Sequence, residues 1–145
     1  MTLHLIKLCV GADSVRDLED WIGQKLKEKR KRREKPEHVH RTRMVPKRAD
    51  ELVAGGSLYW VIRGEIACRQ RILAIRPYRD SEGVGQCGLV LDPKVVLVAL
   101  RPFRAFQGWR YLAEKDAPRD LEKAAPGAAA MPEKLRRELR ELGLM

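Results

Sequence analysis

The run Ser57-Leu58-Tyr59-Trp60-Val61-Ile62-Arg63, the glycine at Gly64, and the run Ile66-Ala67-Cys68-Arg69-Gln70-Arg71-Ile72-Leu73-Ala74-Ile75 decide the fold class. The first run is dense in aromatic and β-branched side chains, which suit a pleated surface, and Gly64 permits a turn. The second run continues the same chemistry, so the two predict neighbouring strands, with Arg69 and Arg71 on one face. Downstream, Asp80 to Gly85 carries turn chemistry. Gln86 to Leu91 predicts a third strand closed by Asp92-Pro93, and Val95 to Leu100 a fourth. Strands this closely spaced leave no room for a helix after each, which argues against a doubly wound fold.

Upstream, Thr2 to Val10 is almost wholly apolar and predicts a buried strand ended by Gly11. Asp13 or Ser14 caps a helix starting near Val15. Val15, Leu18, Ile22 and Leu26 follow helical spacing and define its buried stripe, with Trp21 beside them. Past Leu26 the stripe stops, and Lys27 to Lys35 reads as a basic helix end closed by Pro36. Glu37 to Val45 predicts a short strand. Pro46 opens a short helix over Lys47 to Val53, ended by Gly55-Gly56. Arg101 to Leu112 is aromatic and irregular. Residues 113–131 read as a linker, and Pro132 to Leu142 as a short charged helix whose stripe is Leu135, Leu139 and Leu142. The expectation is an α+β domain over residues 1–121, built on a small mixed β-sheet or closed β-barrel with helices at its N-terminal side. Residues 122–145 form a loosely attached tail.

The chain has 145 residues, with 30 Lys and Arg against 20 Asp and Glu, for a net charge of +10. One core organises a chain of this length. The excess is concentrated in residues 40–112, which hold thirteen basic and six acidic residues, whereas 113–145 are balanced at seven each. Lys25 to Lys35 adds eight basic and two acidic residues in eleven. Positive potential of this kind attracts polyanions, most often nucleic acid. No apolar run is long enough to cross a bilayer, which requires about 20 residues, and the N-terminus lacks a signal-peptide pattern. Three scattered cysteines, Cys9, Cys68 and Cys87, exclude a disulfide scaffold or zinc finger and fit a reducing cytoplasm.

Three segments carry a resemblance. They are Arg43-Met44-Val45-Pro46-Lys47-Arg48-Ala49-Asp50-Glu51-Leu52 with the strands after Gly55-Gly56, Thr2-Leu3-His4-Leu5-Ile6-Lys7-Leu8, and Phe106-Gln107-Gly108-Trp109-Arg110-Tyr111-Leu112. Together they resemble a bacterial family of small domains of unknown function, over most of residues 1–121. The order of short helix, glycine turn, apolar strand and basic strand in residues 40–100 is also similar to PUA-like barrels, including the ASCH and EVE branches. That similarity implies a barrel whose mouth binds RNA or a modified base. The ASCH signature G-x-K-x-x-E-x-R is matched at Gly64 and Arg71, but Ile66 stands in place of its lysine and Arg69 in place of its glutamate. The resemblance therefore implies binding rather than catalysis.

Most other chemical candidates have plainer readings. His38 and His40 share a strand face and have the spacing of a metal-chelating pair. No third ligand accompanies them beyond Glu37, so they read as surface histidines beside a basic segment, with no metal. His40-Arg41-Thr42 is a lone His-x-Thr tripeptide where two-histidine phosphoesterases need two. Cys68 and Cys87 read as core residues. Asp50, Glu51, Asp80 and Glu82 serve caps and turns, and Gly55-Gly56 lacks the context of a phosphate loop. No cofactor motif is present. The constellation with chemical content is Arg101, Arg104 and Arg110 interleaved with Phe103, Phe106, Trp109 and Tyr111. Arginine forks grip phosphates and aromatic faces stack on unpaired bases. Arg63, Arg69 and Arg71 extend this set. Trp60, flanked on its face by Leu58 and Ile62, points to the core, and Trp109 is the tryptophan placed to meet a ligand. The expected function is non-catalytic RNA binding, with Arg63, Arg69, Arg71, Arg101, Arg104, Arg110 and the helix end Lys29, Arg30, Lys31, Arg32 and Arg33 on phosphates and Trp109 on bases. A factor binding an acidic protein, and an enzyme acting on a nucleotide or nucleic acid, are the alternatives.

Overall fold

A computed structural model describes residues 2–121; the tail expected over residues 122–145 lies outside the described residues. The elements are β1 (Leu3–Leu8), α1 (Val15–Lys31), β2 (His38–Thr42), α2 (Ala49–Val53), β3 (Ser57–Ile62), β4 (Glu65–Arg79), β5 (Gly85–Leu91), β6 (Val96–Pro102) and β7 (Trp109–Ala113), with a 3-10 turn at Glu114–Asp116. The α+β class and each expected strand are present. β7 is additional, within the segment expected to be irregular.

The hairpin that decides the fold turns on two residues. Ile62 pairs with Glu65, and Arg63 and Gly64 between them have φ values of 52° and 75°. Positive φ at both central positions marks a type I′ turn, whose twist matches that of the flanking strands. β4 runs on for 15 residues. Its first half lies between β3 and β6, and its second half pairs with β5, which in turn pairs with β2. β1 joins β3 in parallel, and β7 lies antiparallel to β1.

Of the two expected architectures the mixed β-sheet is the one formed, and the closed barrel is corrected by this topology. The seven-stranded sheet follows the path β2-β5-β4-β3-β1-β7, with β6 on β4, and is open. β2 and β7 end the path, and among the described residues no ladder joins them. A side chain crosses instead, where the Trp109 indole donates to the Met44 carbonyl at 2.7 Å. The linker expected from residue 113 is corrected too. Ala99 N–H donates to Arg119 O and Leu121 N–H to Leu97 O, so residues 119–121 pair along the free edge of β6.

Ser14 is the N-cap of α1, its hydroxyl accepting from Asp17 N–H at 3.0 Å. The stripe Val15, Leu18, Ile22 and Leu26 is buried against one sheet face with Leu5, Leu58, Trp60 and Leu52 of α2. Each such apolar side chain contributes roughly 1.5–3 kcal/mol through burial. A second cluster fills the opposite face, where Ile6, Tyr59, Val61, Ile66, Val98 and Leu112 pack under Phe103 and Phe106. All six residues of β3 are therefore buried. Gly56 lets α2 come this close: a Cβ there would stand 2.2 Å from Leu3 O and 2.5 Å from Leu52 O.

Candidate functional site

The apolar stripe of α1 turns toward the sheet and leaves Trp21 at its edge, 42% exposed rather than buried with the stripe. Residues spaced by four line up along a helix, so Trp21, Lys25 and Lys29 form one row. Lys25 Nζ lies 4.3 Å from the centroid of the Trp21 ring, a cation–π contact. Across from this row runs β2, in which residues two apart share a face. His38 meets Trp21 edge-on at 5.9 Å, and His40 meets Trp60 edge-on at 5.0 Å. Between α1 and β2 lies a groove of about 530 Å³ whose cations are Lys25, Lys29, Arg32 and Arg41. A second cleft of about 450 Å³ adjoins it, sharing Trp21 and His40, with Leu8, Val10, Leu18 and Trp60 among its walls.

The two histidines are not the surface pair expected from the sequence. His38 is only 2% exposed. The Nε2 atoms of both rings are buried, with no hydrogen-bond partner among the described residues. Burial, with Lys29 and Lys25 nearby, pulls His38 down to about 4. Burial, with Lys7, His38 and Lys25, does the same to His40. Both rings are thus neutral at pH 7. Burial also pushes the Cys9 thiol, at the second cleft, up to about 11, which keeps it protonated and a poor nucleophile. Among the described residues no group of three or more His, Cys, Asp or Glu side chains is placed to hold a metal ion.

The groove also holds Glu28, Glu34 and Glu37, of which Glu37 pairs with residues outside the lining and Glu34 with the groove's own Arg32. Glu37 pairs with Arg76 at 2.7 Å and Lys35 at 3.2 Å, and Glu34 with Arg32 at 3.4 Å. Lys29 is half-buried and donates to Glu37 O at 2.6 Å. Arg30, Lys31, Arg32 and Arg33 continue past it as an exposed basic end.

The second set of expected binding residues is mostly engaged by the protein itself. Arg69 grips Asp120 through Nε and Nη2 at 2.8 and 2.7 Å, and its Nη1 donates to Ser57 Oγ. Arg71 Nη2 reaches Val53 O at 3.4 Å, and Arg101 donates to Asp116 O. Arg110 lies 4.6 Å over the Phe106 ring. Trp109, half-buried, packs on the main core and gives its N–H to Met44. Arg63, at the hairpin tip, and Arg104 are exposed.

A polar cluster on the opposite sheet face carries no signal in the sequence, because its partners lie far apart in the chain. Ser57 N–H donates to His4 Nδ1 at 3.0 Å, so the ring proton sits on Nε2, which donates to Glu114 at 2.7 Å. Tyr59 packs edge-on against His4 at 5.0 Å, and burial raises its phenol to about 12. With Arg69 and Asp120 these side chains line a cleft of about 410 Å³. Both nitrogens of His4 and the fork of Arg69 are occupied by protein groups. The cluster therefore acts as a latch holding residues 114–120 over the sheet.

A family model described as a protein of unknown function, DUF1489, matches residues 5–145. The chain belongs to that family. The match spans the sheet, both helices and the residues beyond the described structure. No curated protein and no solved structure matches the chain significantly. No helix among the described residues is long and apolar enough to cross a membrane.

Proposed function

We propose that this protein binds single-stranded RNA, without catalysis, along the groove between α1 and β2. The observation that carries the reading is the row Trp21, Lys25, Lys29 facing two neutral imidazoles whose buried Nε2 atoms have no partner among the described residues. Exposed aromatic faces stack on unpaired bases, cations meet phosphates, and an unpaired imidazole nitrogen is a hydrogen-bonding site for an incoming group. The basic end Arg30 to Arg33 extends the phosphate track. Arg63 and Arg104, both exposed, would add to the charge that draws the strand in. Arg69 and Trp109, whose fork and N–H are taken by protein groups, would support the sheet before they met RNA, whereas Arg71, Arg101 and Arg110 are exposed and would add to the charge around the site. Three cysteines outside any disulfide suit a reducing compartment, the cytoplasm.

The test is Trp21→Ala, assayed by fluorescence anisotropy with a labelled single-stranded RNA. Stacking contributes roughly 1–3 kcal/mol per base, so affinity should fall about tenfold with little change in melting temperature. Unchanged affinity would remove the groove from the reading.

A further inference from the structure

We propose that the apolar cleft beside the groove takes one unstacked base of the bound strand, while the groove holds the adjoining phosphate. This rests on the RNA-binding reading and narrows it to a two-part site. The cleft and the groove meet at Trp21 and His40, and their chemistry differs sharply. The groove is polar and holds Lys25, Lys29, Arg32 and Arg41. The cleft has apolar walls from Leu8, Val10 and Leu18 and aromatic surface from Trp21 and Trp60. A nucleotide has the same division, an apolar planar ring joined through a sugar to an anion.

The charges also orient it. Asp17 and Asp20 outnumber Lys7 along the cleft and disfavour a phosphate there, whereas in the groove Lys25, Lys29, Arg32 and Arg41 outnumber Glu28, Glu34 and Glu37 and favour one. Carboxylates accept hydrogen bonds from exocyclic amines of bases, and Gln24, on the same wall, both donates and accepts. His40 stands at the junction with its Nε2 buried and unpartnered. Its neighbour His38 also lines the groove, and its Nε2 is buried with no partner among the described residues.

The experiment uses the full chain and two labelled probes of equal length, a single-stranded oligoadenylate and the same phosphodiester strand without bases. Wild-type protein is compared with Ala12→Leu, a substitution in the cleft wall that fills it with aliphatic bulk and adds neither charge nor a stacking face; retained folding is checked by circular dichroism. Wild type should bind the oligoadenylate about tenfold tighter than the abasic strand. Ala12→Leu should abolish that difference while binding the abasic strand as wild type does. Equal binding of both probes by wild type would overturn the base cleft and leave phosphate binding intact. A preference that survives Ala12→Leu would place base contacts elsewhere and also overturn it. Failure to bind either strand would overturn the RNA reading itself.

Discussion

Arg69 and Asp120 meet side chain to side chain through two hydrogen bonds of 2.8 and 2.7 Å, 51 residues apart in the chain. The pair ties β4 to the segment that runs along the edge of β6. It is partly buried, with side-chain exposures of 23% and 33%. Bidentate arginine–carboxylate pairs are among the stronger polar contacts, and here the carboxylate also raises the arginine's affinity for its proton.

Removing one partner leaves the other partly buried and uncompensated. Asp120→Ala should therefore lower stability to urea by about 1–3 kcal/mol. The double variant with Arg69→Ala should cost less than the sum of the two single ones. Additive losses in that cycle would show that the pair does not latch the segment.

Trp60 and Trp109 separate core from bridge. Trp60 is 3% exposed and donates to Gln70 Oε1 at 2.9 Å, and Gln70 in turn donates to Asp92 O. Trp60→Ala should cost about 3–5 kcal/mol. Trp109 is half-buried and spans the gap between β7 and the residue run after β2. Trp109→Ala should cost less than Trp60→Ala, about 1–3 kcal/mol, and leave RNA affinity within about twofold. A tenfold loss of RNA affinity from Trp109→Ala at unchanged stability would move the base contact to β7.

His38 and His40 make stability depend on pH in a defined window. Their folded values, near 4, lie below the ordinary 6.5. Between those values the unfolded chain holds more protons, so acid favours unfolding. The contribution of the neutral rings is complete above pH 6.5 and is lost as pH falls toward 4. Melting temperature should fall across that range, and the double variant His38→Gln, His40→Gln should flatten the fall. A wild-type profile level from pH 7 to 4.5 would contradict the burial of these rings.

The hairpin at Arg63-Gly64, the α1 stripe and the orientation of Trp60 were legible in the sequence because each is local: period, turn residues and flanking apolar pairs determine them. The openness of the sheet was not, because it depends on whether β2 and β7 pair, and no local pattern reports that. The engagement of Arg69 by Asp120 and of Arg101 by Asp116 was hidden for the same reason. A surplus of arginines over residues 57–79, with Glu65 as the only acid, looked like free charge, but Asp120 takes Arg69 and Glu37 takes Arg76, each from outside that stretch. The groove did leave a trace. Trp21, Lys25 and Lys29 follow one another at helical spacing, and His38-x-His40 comes nine residues after Lys29, but Trp21 reads only as a neighbour of the buried stripe and not as part of a polar row.

The salt dependence of single-stranded RNA binding tests the central claim most directly, measured on wild type and on a variant with Arg30, Lys31, Arg32 and Arg33 all changed to Gln. These four side chains are exposed, so the variant should keep its stability within about 0.5 kcal/mol per position. Lys29, which holds Glu37 O, is left in place. Log affinity should fall linearly with log salt for wild type, and the variant's slope should be shallower by about 0.7 for each phosphate contact removed. Affinity that does not respond to salt, or a slope identical in the two proteins, would contradict it.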